Sequence, residues 1–267
     1  MKKAMTMEAI ILGCGSSSAV PGIGNYWGAC DPNEPKNRRT RTSLAIKMDQ
    51  KCIVIDTGPD FKEQFDRENL PYPDAVFYTH GHADHITGAD ELRWLVEGSK
   101  TPINIYSNID TIEEIKRRFY YLFDPPRSDL YRQILSTTHW KESDFYKCHS
   151  VSNIDFDLLP LDHESVQSCG FRFGDFAYTT DLVRIEKKAL ESLRGIKTWV
   201  VDTGAYKNPN NMAHACLDDV YQWNEIVGAE YVYFTAMPPQ MDYQIVLDET
   251  PDGYAPAYDG LSLIINI

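Results

Sequence analysis

Between Thr79 and His85 the chain reads Thr79-His80-Gly81-His82-Ala83-Asp84-His85, three imidazoles and a carboxylate in seven consecutive residues. The whole chain has only seven histidines, so this density is a constraint and not background. Imidazole nitrogen and carboxylate oxygen are the donors that suit zinc, manganese or ferrous iron at a hydrolytic centre. On a regular helix His80 and His82 would point apart, because positions two apart share no face. Converging them takes an irregular turn. The flanks supply one: residues 75–78 read as a short buried strand, and Ile86, Leu92, Trp94 and Leu95 have helical spacing. A solvated turn with incidental histidines accounts poorly for so many donors. A metal site on a strand-to-helix turn accounts for them well.

The rest of the composition narrows the class. A chain of 267 residues with 43% hydrophobic and 24% charged residues is long enough for a sizeable core, and one α/β domain over residues 1–267 is expected. The net charge of −13 argues against a general nucleic-acid binder, since gripping phosphates needs a basic surface. Six cysteines lie scattered without a C-x-x-C pair, which signals neither a disulfide framework nor a cysteine zinc knuckle. Met1-Lys2-Lys3 resembles the start of a signal peptide, but Glu8 and a brief apolar run come next, and they read as a first strand. No run approaches the ~20 apolar residues of a membrane span. A cytoplasmic protein without membrane contact is expected.

Taken in order, a strand at 9–12 leads into Gly13-Cys14-Gly15-Ser16-Ser17-Ser18, a turn whose amides could face an anion. Arg38, Arg39 and Arg41 form the basic cluster of the front half and are candidate phosphate donors; ion pairing with the chain's own carboxylates is an equal use for them. Strands at 43–48 and 52–55, a helix at 61–70, a strand at 102–106 and a helix at 112–123 come after it, with Asp124-Pro125-Pro126 as the stop. Residues 127–152 are the least patterned and read as a cover or edge insertion. Its aromatics suit packing, a pocket wall or contact within a homodimer. His139 and His149 stand alone there and read as surface residues. A strand at 156–161 runs to Asp162-His163, and a hairpin around Gly174-Asp175 runs on to Asp181. A strand at 197–201 ends at Asp202, His214 precedes a helix at 217–227, and a strand at 230–234 ends at Thr235-Ala236-Met237. Residues 257–265 are expected to close a second sheet. Site residues thus come after strands in both halves, and two facing βα halves would bring them together.

The T-H-x-H-A-D-H motif after a strand, with Ile55-Asp56-Thr57-Gly58-Pro59-Asp60 upstream, resembles the metallo-β-lactamase superfamily. More narrowly it is similar to the branch holding tRNase Z and the cyclic phosphodiesterase of bacterial phosphonate breakdown. The resemblance runs from Glu8 to the C-terminus. It implies an αββα sandwich of two mixed sheets flanked by helices, with one or two divalent ions (zinc, manganese or iron) at the edge between the sheets. By the same resemblance His80, His82 and His163 bind a first metal, Asp84 and His85 a second, and Asp181 bridges both. Asp56 orients the ligand turn, and His214, counted with Asp84 among the catalytic residues, protonates the leaving alkoxide. The family's structural zinc is not carried over, because Cys30 is the one cysteine in its segment. Ala236 departs from the pattern: the family has a histidine ligand there, and alanine has no donor atom. Asp242 is the nearest acidic residue in sequence. The implied function is a metal-dependent hydrolase of a small, cyclic or nucleotide-like phosphodiester. A silent metal-binding module, a tRNA 3′-processing nuclease and an ester or thioester hydrolase are the alternatives.

Overall fold

Side chains alternate along the strands between two buried surfaces. In residues 75–78, Ala75 and Phe77 face one hydrophobic core while Val76 and Tyr78 face another; Ile53 and Ile55 likewise oppose Cys52 and Val54. Strands buried on both faces need a layer on each side, which gives two packed sheets with outer helices. The computed structural model describes residues 6–125 and 132–266. Its strands are β1 (Thr6–Gly13), β2 (Ser43–Met48), β3 (Lys51–Ile55), β4 (Ala75–Phe77), β5 (Ile103–Asn108) and β6 (Leu135–Trp140). They continue with β7 (Cys148–Val151), β8 (Ile154–His163), β9 (Val166–Phe173), β10 (Phe176–Thr179), β11 (Thr198–Asp202), β12 (Tyr231–Thr235), β13 (Tyr254–Pro256) and β14 (Ser262–Asn266). One sheet runs β14-β1-β2-β3-β4-β5-β6 and the other β13-β12-β11-β10-β9-β8-β7. Each is half antiparallel and half parallel, with β3 to β6 and β10 to β13 as the parallel runs.

The helices are α1 (Phe61–Arg67), α2 (Ala83–Ile86), α3 (Leu92–Ser99), α4 (Ile109–Arg118), α5 (Lys187–Ser192), α6 (Leu217–Val227) and α7 (Tyr243–Glu249). Phe61, Leu92, Val96, Ile112 and Ile115 from α1, α3 and α4 cover the outer face of the first sheet. Ala189, Leu190, Leu217 and Val220 from α5 and α6 join the core of the second. The αββα sandwich of two mixed sheets is therefore the observed fold.

Several expectations need correction. The C-terminal strand does not close the second sheet: β14 pairs antiparallel with β1 in the first, and β13 holds the edge of the second. The segment after the heptapeptide is not one helix. Gly88 packs so tightly on Gly58 that a Cβ there would lie 2.1 Å from its carbonyl, and the chain passes through a 3-10 turn at Thr87–Glu91 before α3 starts. The helix expected at 112–123 starts earlier, capped by the Asn108 carboxamide accepting from the Thr111 amide at 2.9 Å, and stops at Arg118. Its aromatics fall in a 3-10 turn at Tyr120–Leu122. The stop at Pro126, residues 127–131 of the unpatterned segment, and Met1-Lys2-Lys3 lie outside the described residues. The remainder of the unpatterned segment contains β6 and β7, the edge strands of the two sheets.

Phe77 links the sheets. Its ring centroid lies 4.9 Å from Phe156 and 5.5 Å from Phe171 on the second sheet, and 5.3 Å from both Tyr106 and Trp140 on the first. Phe77→Ala is expected to lower unfolding free energy by about 3–5 kcal/mol, read from the denaturation midpoint of the purified chain.

Candidate metal centre

The parallel strands of both sheets end at one edge, and site residues stand where they end. β4 leads through Tyr78 to Thr79 and His80; β8 ends at His163; β10 leads to Asp181; β11 ends at Asp202. His82 is the N-cap of α2, in extended backbone (φ −69, ψ 153), and α2 carries Asp84 and His85. The irregular turn thus separates His80 from His82 without letting them diverge.

The imidazoles form a cluster. Ring centroids of His80 lie 4.5 Å from His82, 4.3 Å from His85 and 4.9 Å from His163. His82 Nδ1 faces His163 Nε2 at 3.2 Å. Asp181 Oδ2 is shared: it lies 3.2 Å from His85 Nε2 and 3.8 Å from both His80 Nε2 and His163 Nε2. Asp84 stands 3.6 Å from His85 Nε2. The donor atoms of His80, His82 and His163 fall within 4.8 Å of one another, as do those of His80, His85 and Asp181, and of His163, Asp181 and His214.

Carboxylates and carbonyls behind the rings fix which nitrogen points inward. Asp56, fully buried, accepts from His85 Nδ1 at 2.7 Å and from the Thr79 amide and hydroxyl at 2.8 Å. That leaves the Thr79 oxygen to accept from His80 Nδ1 at 3.0 Å. His163 Nδ1 donates to the Ala213 carbonyl at 2.7 Å. Each of these rings thereby has its Nδ1 occupied on the outer side and turns its Nε2 toward the cluster. His80 Nε2 is buried and has no hydrogen-bond partner, although a buried polar nitrogen normally has one. A divalent cation would satisfy it, and the donor set fits a metal.

Charge follows the same plan. Burial, then the neighbouring His85, pulls His80 well below the usual imidazole range. Burial and His163 lower His82. Burial alone would lower His85 as well, but the Asp181 and Asp56 carboxylates outweigh it and hold the ring well above 6.5. Burial would raise Asp181, yet His85 and His80 keep it well below the carboxylate range. A proton on His85 here occupies the place that a metal ion competes for.

His214 is half-buried at the rim. Its Nδ1 donates to Asp202 Oδ2 at 2.8 Å, and Asp202 also accepts from the Leu182 and Gly204 amides at 2.8 and 2.6 Å. The Asp202 charge raises His214 to about 9. Gly204 is required beside it, since a Cβ would sit 2.7 Å from the imidazole ring. Asp202 carries one mark in the sequence: Val201-Asp202-Thr203-Gly204 repeats Ile55-Asp56-Thr57-Gly58, and each aspartate holds a histidine Nδ1.

Other candidates fall elsewhere. Arg39 is no phosphate donor: it is fully buried, donating to the Met241 carbonyl and, at 2.8 Å, to Asn37. Arg41 is held by Asp60 at 3.0 Å and by the Ser17 carbonyl, and Arg38 is exposed over the Trp27 ring. The Gly13–Ser18 turn offers little to an anion, because the amides of Cys14, Gly15 and Ser16 bond to Asp259, Thr40 and Met237. Ala236 lies just after β12, buried. Asp242 does not replace its missing donor; it caps α7 and accepts from Asp31 and Asn37. Cys30 packs against the Pro239 and Met241 carbonyls. His139 is exposed, and His149 bonds to the Asp144 carbonyl. Among the described residues no helix is long and apolar enough to cross a membrane.

Comparison with known proteins places this edge in context. A diphosphatase of the PhnP family is 31% identical, with 99% of each chain covered and a TM-score of 0.87. The short form of human tRNase Z, ELAC1, superposes with a TM-score of 0.68 over 97% of this chain and all of its own, at 14% identity, a likeness of fold. Among curated proteins, an octanoyltransferase of Porphyromonas gingivalis is 27% identical over 263 residues, 97% of this chain but 52% of that protein. The chain thus spans about half the length of that relative. The profile of the β-lactamase superfamily domain matches residues 51–237, a span that contains Asp56, Ala236 and every residue of the cluster. On that match and on the shared fold, the chain belongs to the metallo-β-lactamase superfamily.

Proposed function

We propose that this protein is a metal-dependent phosphodiesterase acting on a small anionic substrate. The observation that carries this reading is the buried His80 Nε2, without a partner, beside three further imidazoles and the shared Asp181 carboxylate. Zinc, manganese or iron suits such a set, with His80, His82, His163 and Asp181 as donors of one ion and Asp84, His85 and Asp181 of a second. Divalent ions held there supply Lewis acidity toward phosphoryl oxygens and lower the pKa of water. The likeness to a PhnP-family diphosphatase supports phosphoryl chemistry.

The protein's own residues do the rest. Asp181 and Asp56 hold His85 from both sides. Asp202 keeps His214 an imidazolium at neutral pH, with Nε2 free to give its proton to a leaving alkoxide. The cleft beside His82, about 350 Å³, is lined by Asn108, Asp110, Thr111, Glu114, Arg118 and Gln167. Among the described residues its one arginine is paired with Glu114 at 2.5 Å, so these residues form no basic track for a polynucleotide. That and the charge of −13 favour a small substrate over tRNA. Acyl transfer has little support: five of the six cysteines are buried, and the sixth, Cys148, lies on edge strand β7. Unpaired thiols suit a reducing compartment, hence the cytoplasm. A homodimer is compatible with this reading and adds nothing to it. A metal binder without turnover is the second reading, favoured by Ala236.

Metal-loaded protein should hydrolyse bis(4-nitrophenyl) phosphate, with a rate that changes little between 50 and 200 mM salt. No turnover would leave the silent binder, and a steep fall with salt would point to nucleic acid. His214→Asn should cost about 10²–10⁴-fold with an alkoxide leaving group, and far less with 4-nitrophenolate, which leaves without a proton. With an alkoxide leaving group the wild-type rate should fall on the alkaline side as His214 loses its proton, whose pKa the Asp202 charge raises to about 9 in the free protein. Asp202→Asn removes the main cause of that raised value and should move the alkaline limb down toward the ordinary imidazole range. An unmoved limb would remove His214 from the acid role.

A further inference from the structure

One turn between β11 and α6 carries both the proposed proton donor and a support of the first metal position. Its base is closed where the Ala205 amide donates to the Ala215 carbonyl at 3.1 Å, and its tip, residues 208–210 with Met212, stands exposed. Inside the turn the Asn211 side-chain oxygen accepts from two successive amides, Ala213 at 2.8 Å and His214 at 2.9 Å. Asparagine suits this place because its short side chain reaches amides two and three positions on. Those amides belong to the two residues that reach the site. The Ala213 carbonyl accepts from His163 Nδ1 at 2.7 Å. The His214 ring lies against Gly204 and donates from Nδ1 to Asp202 at 2.8 Å. The two imidazoles are 5.2 Å apart between centroids. Asp202 fixes the His214 ring but not the backbone that carries it, and an exposed turn is held only by such local bonds.

We infer that Asn211 is a positioning residue with two outputs: through the His214 amide it places the proton donor, and through Ala213 it places the carbonyl that aims His163. The first output rests on the phosphodiesterase reading above, and the second only on a metal at His163. Asn211 itself lies outside the donor cluster and acts through these two residues. A carbonyl behind a ligand imidazole sets its angle and basicity, and losing such a partner typically costs about 10–100-fold in metal affinity. A proton donor misplaced by about 1 Å loses about 10²-fold in rate. Because one side chain holds both amides, the two placements are coupled. An ion that orders His163 favours the turn that presents His214, and by linkage the reverse holds.

Two readouts on the full chain test this: zinc affinity by competition with a chelator, and kcat at saturating zinc on two esters. The esters are bis(4-nitrophenyl) phosphate and adenosine 2′,3′-cyclic phosphate, whose leaving group is an alkoxide. Asn211→Ala should weaken zinc about 10–100-fold. It should also lower kcat on the cyclic ester about 10–100-fold more than on the aryl ester, which leaves without a proton. Asn211→Asp keeps an oxygen for the same two amides and should restore both readouts to within about 3-fold of wild type. Met212→Ala, at a neighbouring side chain 65% exposed, should move neither by more than about 2-fold. Thermal midpoints confirm that each variant is folded. An Asn211→Ala protein unchanged in either readout would overturn the inference, as would an aspartate that restores neither or a Met212→Ala that matches the loss. Wild type that turns over neither ester marks the failure of the phosphodiesterase reading and ends the first output. Zinc affinity then decides the second.

Discussion

A buried carboxylate facing three imidazoles is the contact on which the rest of the site depends. Asp181 shares one oxygen among His80, His85 and His163, at the seam of the two sheets. A buried charge is costly unless it is paired and hydrogen-bonded. The chain meets that cost by stacking polar groups in depth. Asp56 holds His85, Thr79 holds His80, and the Ala213 carbonyl holds His163. The sandwich core below, centred on Phe77, keeps the two strand edges in register so that ligands from residues 80–85 and 163–181 meet.

The two D-T-G turns show how the same local device serves two ends. At Asp56 it supports a candidate ligand histidine; at Asp202 it supports the histidine proposed as proton donor. In both, the glycine after the threonine lets something pack close: the Asp84 carbonyl against Gly58, and the His214 ring against Gly204. The parallel halves of the two sheets place these turns at strand C-termini, where α/β folds carry their ligand sites.

How much the sequence discloses depends on how local the cause is. His80, His82, Asp84 and His85 are legible because their donors lie within six residues and a turn is enough to join them. His163 and Asp181 are legible only through the repeated placement of polar residues after strands, helped by family resemblance. Asp202 hides in plain sight, since a carboxylate after a strand has many uses until a histidine is found beside it. Arg39 misleads because its burial depends on Asn37 and Met241, the latter about two hundred residues away, and nothing in the basic run 38–41 reveals that. The pairing of β14 with β1 is likewise a contact between chain ends that no local pattern encodes. Ala236 is the reverse case: the family resemblance marks a missing donor there, and the structure adds that the residue is buried in a left-handed turn just past β12.

If these strand ends assemble a metal centre, the ion can be located by anomalous diffraction from crystals of the zinc- or manganese-loaded protein, collected on both sides of the metal edge. A peak is expected about 2.0–2.2 Å from His80 Nε2, His82 Nδ1, His163 Nε2 and an Asp181 oxygen. A loaded, folded protein with no peak among these four atoms, or with its metal bound elsewhere, would contradict the assignment.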